Sequence, residues 1–230
     1  MADRPYTLLS CSVSLDGYLD DATKHRLLLS NDADLDRVDE VRASCDAILV
    51  GAATVRNDNP RLLVRTKHRQ DERIARGLPP SPLKVTITEK GDLDACANFF
   101  ATGDGAKLVY CTRANFNVTA TRLDGCATVI DAGDTADMAW VCSDLHARGV
   151  HRLMVEGGGG IHTQFLTEGL ADELQLVIAP FFVGDSQARR FVGDGAFPWN
   201  ESSRATLAEV RPIGDVVLLR YALSSRFRQD

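Results

Sequence analysis

The sequence predicts an α/β fold with a mainly parallel central β-sheet and antiparallel strands at its C-terminal edge. Short apolar runs rich in β-formers alternate with helical patterns through most of the chain, which is typical of a parallel sheet covered on both faces. The last two apolar runs, RATLAEV and DVVLLRYAL, follow one another through Pro212-Ile213-Gly214 and predict a hairpin. The length of 230 residues, without an evident linker, predicts a single domain over 1–230.

Strands dominate the prediction for the first half of the chain. The strand at 6–14 is followed by Asp16-Gly17, a turn signal. A helix is predicted over 31–45, with Asn31 or Asp32 as its cap and an apolar stripe formed by Leu35, Val38, Val41 and Cys45. The remaining predicted segments are strands at 46–51, 83–88, 106–111 and 126–131, a loop at 52–65 and a polar surface connection or lid at 68–82.

The second half is predicted to contain two helices between strands. The first helix begins at Asp134 as its cap and stops at Gly149. A strand at 151–156 then leads through four glycines into a second helix that ends near Gly169. A long apolar strand at 172–180 and an irregular segment at 181–204 precede the hairpin.

Composition excludes several classes of function. The net charge of −6 is unlike that of proteins that wrap nucleic acid, which are usually basic. The chain has no apolar run of about 18 residues and no signal-peptide pattern, so we expect no membrane span and a cytoplasmic location. The six cysteines form no C-x-x-C pair and the five histidines are scattered, so we expect buried thiols and no metal site.

The stretch VEGGGGIHTQFL at 155–166 places glycines between a strand and a helix. The first N–H groups of a helix have no partner within the helix, and the helix dipole adds positive potential, so this arrangement predicts a phosphate or diphosphate cradle. It is neither a G-x-G-x-x-G fingerprint, because residue 162 is His162, nor a P-loop. The alternative is a sharp strand-to-helix turn with close packing.

Three further features suggest ligand binding. Glu156 ends the strand before the glycines, where it suits a neutral or amine part of a substrate; the alternative is a helix-cap acid. Arg42 lies on the apolar stripe of its helix and therefore needs an anionic partner, either an internal aspartate or a ligand. The segment GAATVRNDNPRLLVR at 51–65 offers hydrogen-bonding groups on Thr54 and Asp58 and phosphate partners on Arg61 and Arg65. The alternative is that this segment is a solvated loop.

These stretches resemble the reductase of riboflavin biosynthesis. The opening strand and turn of that family are similar to SVSLDGYL at 12–19. Its long signature is similar to VRASCDAILVGAATVRNDNPRLLVR at 41–65. Its final strand–glycine–helix–strand unit is similar to VEGGGGIHTQFL together with DELQLVIAPFFVG at 172–184. The resemblance implies a dihydrofolate-reductase-like three-layer sandwich, usually a homodimer. It also implies NADPH-dependent reduction of the ribose of a phosphorylated pyrimidine, 5-amino-6-(5-phosphoribosylamino)uracil or its 2,5-diamino-pyrimidinone counterpart, to a ribityl chain.

The resemblance also implies roles for individual residues. Glu156 is expected to be catalytic and to contact the substrate, by orienting the pyrimidine amino groups and assisting ring opening. Implied substrate contacts are Arg42, Arg61, Leu62, Arg65 and Glu156. Implied NADPH contacts are Thr54, Asp58, Thr88, Gly157, Gly158, Gly159, Gly160, Ile161, His162, Thr163 and Gln164. For the cation that binds the NADPH 2′-phosphate, Arg113, Lys90 and other residues stay open, and Asp16 is a weaker catalytic candidate than Glu156.

The chain departs from the family pattern between 19 and 30. Asp20 and Arg26-Leu27-Leu28 stand where the family often carries a small residue and Ser-x-Trp, which affects the expected cofactor-ring contacts. Three other functions therefore stay open: an NADPH reductase of the same fold for a pterin- or nucleotide-like substrate, a non-enzymatic nucleotide-binding module, and a transferase that uses the phosphate cradle.

Overall fold

A computed structural model describes residues 3–21, 23 and 27–228. The described chain divides into two compact units: unit 1 takes its residues from 1–5 and 39–154, and unit 2 from 6–38 and 155–230. The single domain over 1–230 stays a prediction. No helix in the described part of the chain is both long and apolar enough to cross a membrane.

The helices and strands alternate as the sequence predicts. In chain order they are β1 (Tyr6–Val13), α1 (Asp32–Ser44), β2 (Ala47–Gly51), α2 (Ala52–Asp58), α3 (Lys67–Ala75), β3 (Leu83–Thr88), α4 (Asn98–Ala101), β4 (Lys107–Cys111), a 3₁₀ turn (Arg113–Asn115), α5 (Phe116–Arg122), β5 (Thr128–Asp131), α6 (Met138–Ala147), β6 (Arg152–Val155), α7 (Gly159–Thr167), β7 (Glu173–Ile178), β8 (Thr206–Ile213) and β9 (Val216–Ala222).

In unit 1 the strand order is β5-β4-β3-β2-β6. Strands β2, β3, β4 and β5 pair in parallel, so their carboxyl ends meet at one edge. Every residue of β2 is buried, as the unbroken apolar run of a doubly covered parallel strand predicts. The loops after β2 and β3, which carry predicted cofactor contacts, therefore begin at the same edge of the sheet.

In unit 2 the strand order is β1-β7-β9-β8. Strand β1 pairs with β7 in parallel, whereas β7, β9 and β8 pair antiparallel. The predicted mainly parallel sheet with antiparallel C-terminal strands is thus confirmed. Helix α1 is capped by Asn31, whose side-chain oxygen accepts the Asp34 N–H at 2.9 Å.

Two segments predicted as irregular contain helices. The predicted loop at 52–65 begins with α2, which ends at Asn59 in a left-handed conformation with φ 44°. The predicted surface connection at 68–82 begins with α3, where Arg73 is buried and donates to the carbonyl groups of Ala43 and Cys45. The loop prediction for 52–65 was wrong because α2 is only seven residues long. Helix α3 was missed because its buried position is an arginine, so polar side chains hide the helical period. Helices α4 and α5 were also missed.

Other boundaries differ from the predictions for local reasons. Helix α6 is capped by Asp137 instead of Asp134, because the Asp137 side chain accepts from the N–H groups of Ala139 and Trp140. The hairpin turn is Gly214-Asp215, and Pro212 lies inside the edge strand β8, where a missing N–H is tolerated.

The predicted stripe of α1 is only partly correct. Cys45, which follows the helix, is buried, whereas Leu35, Val38 and Val41 are half-buried. The buried positions of α1 include Asp34, Arg37 and Asp39, so this helix buries hydrogen-bonded charged groups. Asp20 and Arg26 are two of the positions at which the chain departs from the family pattern. The Asp20 side chain accepts the Arg189 N–H at 2.8 Å. Arg26 lies outside the described residues.

Candidate functional site

The carboxyl edge of the unit 1 strands carries the predicted cofactor contacts of this unit. Gly51 at the end of β2 pairs beside Ile87, so α2 and Thr88 begin at the same edge. Thr54 is half-buried in the first turn of α2, and Asp58 is exposed at its end. The Thr88 hydroxyl is buried and accepts the Gly91 N–H at 3.0 Å. The fold therefore brings Thr54 and Thr88 to one edge, where α/β folds bind ligands.

A buried carboxylate anchors the arginine-rich segment of unit 1. Asp39 is only 1% exposed and accepts the N–H groups of Arg65 at 2.6 Å and Thr66 at 3.1 Å, and the Arg69 side chain at 3.1 Å. Burial alone would raise the pKa of Asp39, but these hydrogen bonds lower it below its usual value, so the carboxylate is ionised. Asp39 therefore fixes the backbone at Arg65, and the Arg65 side chain, 54% exposed, lies 3.6 Å from the same carboxylate.

The same stretch of chain brings the predicted substrate contacts of unit 1 together. The half-buried Arg42 donates to the Leu63 carbonyl at 3.2 Å, beside the buried Leu62. Leu62 has a φ of 48°, a left-handed conformation that is strained for a leucine and is kept only where surrounding contacts require it. Such strain concentrates at ligand sites. Leu62 and Arg65 therefore lie on one anchored segment, and Arg61 is exposed on it. Arg42 of α1 contacts this segment through the Leu63 carbonyl.

In unit 2 the glycine loop adopts a shape that side chains would prevent. Gly157 has a φ of 114°, and the peptide bond to Gly158 is cis. A Cβ on Gly159 would lie 2.5 Å from the Arg190 carbonyl oxygen, so only glycine fits there. A Cβ on Gly160, by contrast, would meet no atom within 4 Å. The start of α7 is thus closely packed on one side and open on the other.

The open side of the loop fits a diphosphate group. Gly158 precedes α7, and no side chain in the described part of the chain caps this nine-residue helix, so N–H groups of its first turn suit an anion. Gly160 and Gln164 are exposed at this end, and Ile161 is half-buried. Thr163 is committed to structure: its hydroxyl donates to the Gly159 carbonyl at 2.7 Å and accepts the Gly193 N–H at 2.9 Å.

His162 differs from the other predicted contacts because its side chain is fully buried. The ring lies beneath the glycine loop, 5.4 Å from the ring of Phe191 between centroids. Burial lowers the pKa of His162 to about 4, against the opposing effect of the Val155 and Phe191 carbonyl groups. The imidazole is therefore neutral at physiological pH and is enclosed away from the surface that a ligand would contact.

Two carboxylates of unit 2 have different surroundings. Glu156 is half-buried directly after β6, at the mouth of the glycine loop. Asp16 accepts the Ser14 hydroxyl at 2.6 Å and the N–H groups of Val183 and Gly184 at 3.0 and 2.8 Å. The hydrogen bond from Ser14, with those from the backbone, lowers the pKa of Asp16 to about 2. Asp16 holds no proton at neutral pH and serves to anchor the loop.

Asp39 was not among the predicted site residues, although it organises the segment of Arg65. One signal was present: Asp39 lies four residues after Leu35 and three before Arg42, on the same face of α1. The candidates for the 2′-phosphate cation both follow strands of unit 1. Lys90 is exposed after β3, while Arg113 after β4 pairs with Asp131 at 3.2 Å and Asp134 at 3.6 Å.

Comparison with known proteins identifies relatives of full length. A protein from Methanothermobacter thermautotrophicus, named 2,5-diamino-6-ribosylamino-4(3H)-pyrimidinone 5′-phosphate reductase, is 34% identical over 96% of this chain and 99% of its own. A protein of the same name from Archaeoglobus fulgidus is 29% identical over 98% of this chain and 100% of its own.

Solved structures show the fold. A pyrimidine reductase-like protein from Corynebacterium diphtheriae aligns with a TM-score of 0.79 at 22% identity, over 95% of this chain and 91% of that one. Dihydrofolate reductase from Enterococcus faecalis aligns with a TM-score of 0.52 at 11% identity, over 96% of this chain and 98% of that one. The expected dihydrofolate-reductase-like fold is therefore confirmed. The family model described as the RibD C-terminal domain matches residues 5–219, and the chain accordingly belongs to the RibD C-terminal domain family.

Proposed function

We propose that this protein is the NADPH-dependent reductase that converts the ribose of 2,5-diamino-6-ribosylamino-4(3H)-pyrimidinone 5′-phosphate to a ribityl chain in riboflavin biosynthesis. The observation that carries the proposal is the match to relatives named for this reaction over almost the whole of both chains. The riboflavin biosynthesis protein RibD of Bacillus amyloliquefaciens is 26% identical, and the match spans only 56% of it. The relatives that match over nearly their whole length are named for the diamino compound and therefore favour it over the deaminated uracil form.

Each unit, taken by itself, carries groups that suit a part of the nicotinamide cofactor. The N–H groups at the start of α7 and the open side of Gly160 suit its diphosphate. Thr54, Asp58 and Thr88 suit hydrogen bonds to its nucleoside parts. When bound, the cofactor supplies the hydride. NADPH instead of NADH requires a cation for the 2′-phosphate, and Lys90 is the better of the two candidates because Arg113 is already paired with two aspartates.

The substrate phosphate would be held by Arg65 with Arg61, whose side chains are exposed on the segment that Asp39 anchors. Arg42 and Leu62 would contact the same substrate. Ring opening breaks the bond between C1 and the ring oxygen, which takes up a proton and becomes a hydroxyl group, and forms a C1=N imine as the nitrogen loses its proton. A carboxylate beside that nitrogen assists this step, and we assign the role to Glu156, which also orients the pyrimidine amino groups.

The deciding measurement is NADPH oxidation at 340 nm, with the diamino and the deaminated ribosylaminopyrimidine phosphates run side by side. We expect turnover with the diamino compound. Turnover with the uracil compound alone would reverse the substrate assignment. Oxidation with dihydrofolate alone would support the pterin alternative, and tight NADPH binding without any turnover would support the non-enzymatic module. We further propose that the reaction takes place in the cytoplasm and involves no metal, nucleic acid or membrane.

The role of Glu156 predicts a specific kinetic change. Replacing Glu156 with Gln keeps the size of the side chain but removes the proton acceptor, so we expect kcat to fall by about 10²–10⁴-fold. The Kd for NADPH should change little, as measured by fluorescence titration. The exposed Glu201→Gln variant serves as the matched control and should keep both values. Near-normal kcat and KM in Glu156→Gln would remove the assignment.

We also propose that the protein is a homodimer, because the exposed face of the unit 2 sheet is apolar. Strand register places on this face, here called the outer apolar face, Leu174, Leu176 and Ile178 of β7, Val217, Leu219 and Tyr221 of β9, and Leu207, Val210 and Pro212 of β8. Most of these side chains are half-exposed, and Leu207 and Val210 are 51% and 56% exposed.

The opposite face of the same strands combines an apolar cluster of Val177, Val216 and Leu218 with buried polar groups. Glu173 is fully buried there and accepts from Arg220 at 2.9 Å and from Gln175 at 2.7 Å. The outer face has no such polar character, although an antiparallel sheet commonly turns a polar side to water. A contiguous exposed apolar face marks an interaction surface. A second copy of the chain could pack its own outer apolar face against this one. Both faces would then be removed from water without requiring a charged partner.

A further inference from the structure

The buried imidazole of His162 is incompletely hydrogen-bonded. Within the described chain, neither ring nitrogen has a hydrogen bond of ordinary geometry, although the carbonyl groups of Val155 and Phe191 lie beside the ring. A buried polar group without a hydrogen-bond partner destabilises the folded state. An apolar ring of similar size would fill the space without this cost. The presence of histidine here therefore needs a reason other than stability.

The position of His162 links it to the glycine loop. A Cβ on Gly157 would lie 3.3 Å from the His162 Cε1 atom, so the ring packs directly beneath this glycine. The ring also contacts Phe191, and the carbonyl of the preceding Arg190 packs against Gly159. His162 and the segment at 190–191 thus hold the loop from two sides.

The chemistry of a neutral imidazole suits a loop that changes on binding. It has one N–H donor and one acceptor nitrogen, and its neighbours are backbone carbonyl groups, which accept. The Val155 carbonyl belongs to the strand end that leads into Glu156 and the glycines. A small shift of the loop or of the 190–191 segment would bring such a carbonyl group into hydrogen-bonding geometry with the ring.

We propose that His162 is a positioning residue: its buried ring N–H forms a hydrogen bond with the Val155 or Phe191 carbonyl when the loop binds the diphosphate of the nicotinamide cofactor. This inference rests on the proposed function. His162 does not touch the cofactor; it stabilises the ligand-binding shape of the loop relative to the ligand-free shape. Ligand affinity then includes the free energy of a hydrogen bond that the ligand-free protein lacks.

The test compares stability with affinity in His162→Phe. We expect the melting temperature of the ligand-free protein to stay equal or rise, because two unpaired nitrogens are removed, while the Kd for NADPH measured by calorimetry increases about tenfold, the equivalent of one lost hydrogen bond. His162→Asn and His162→Gln carry an amide N–H near the Nδ1 and Nε2 positions, and recovery of affinity by one of them identifies the donating nitrogen.

Phe165→Leu is the matched control, since Phe165 is fully buried in the same helix. It should lower the melting temperature and leave NADPH affinity unchanged. Wild-type affinity in His162→Phe would overturn the inference while leaving the proposed function intact. A loss of affinity in His162→Phe that merely parallels a lower melting temperature would also overturn it. Failure of the wild-type protein to bind NADPH would overturn the proposed function and this inference together.

Discussion

At the scale of single residues, Asp16 has a structural role that its short turn motif does not reveal. Its carboxylate joins the turn after β1 to the N–H groups of Val183 and Gly184, 167 and 168 positions further along the chain. Its folded-state pKa of about 2 lies below the unfolded value of about 3.9. The ionised carboxylate therefore stabilises the fold above about pH 4, and this stabilisation is lost as the pH falls toward 2.

Asp16→Asn should consequently show a pH-dependent loss of stability. We expect its melting temperature to lie below that of the wild type at pH 7, with the difference shrinking between about pH 4 and pH 2 as the wild-type carboxylate becomes protonated. Thermal unfolding at a series of pH values measures this. The exposed Asp194→Asn variant controls for net charge. A difference that stays constant across the pH range would contradict the assigned role.

At the scale of elements, Asn31 connects the start of α1 to the β8–β9 hairpin within unit 2. Its side-chain oxygen caps the helix, and its Nδ2 group donates to the Ile213 carbonyl at 2.6 Å and to the Asp215 carboxylate at 2.8 Å. The sequence correctly placed Asn31 among the possible caps, because capping depends on a spacing of three residues. The hairpin contact spans 182 positions and has no local signal.

Two substitutions separate these contributions. Asn31→Ser keeps a capping oxygen but is too short to reach the hairpin, whereas Asn31→Ala loses both functions. We expect both variants to be less stable than the wild type, with Ala about 1 kcal/mol below Ser. Urea denaturation with a common slope gives the two free energies of unfolding. If Asn31→Ser and Asn31→Ala are equally stable, the helix cap contributes nothing to stability. If Asn31→Ser is as stable as the wild type, the hydrogen bonds to the hairpin contribute nothing.

At the scale of the whole molecule, the outer apolar face predicts self-association. Val210→Glu adds a charge to a side chain that is 56% exposed in one chain, so a single chain should still fold. In a dimer the same charge would be buried against apolar groups, so we expect dissociation. Light scattering after size-exclusion chromatography measures the mass. Arg211→Glu, on the other face of β8, is the control and should leave the mass unchanged. A monomeric wild type at micromolar concentration would exclude the dimer.

Parts of the candidate site were predictable to different degrees. The predicted strands and helices place loops after β2 and β6, in the 41–65 signature and in the glycine stretch. The structure confirms that α2 follows β2 and that the glycines follow β6. Helices α2 and α3 were not predictable from apolar spacing, because one is short and the other buries Arg73 against backbone carbonyl groups. The ligand contacts assigned to individual residues stay predictions.

The amino-acid sequence by itself determined the order of most strands and helices, the division into parallel and antiparallel strands, and the family, because these follow from local periodicity, turn residues and fixed motif spacing. Only the tertiary structure decided that Asp39 and Asp16 anchor loops, that the His162 ring is enclosed beneath the glycines, and that the unit 2 sheet exposes its apolar side. These properties depend on groups from distant positions that meet only in the fold, where burial and hydrogen bonding set the charge and exposure of each side chain.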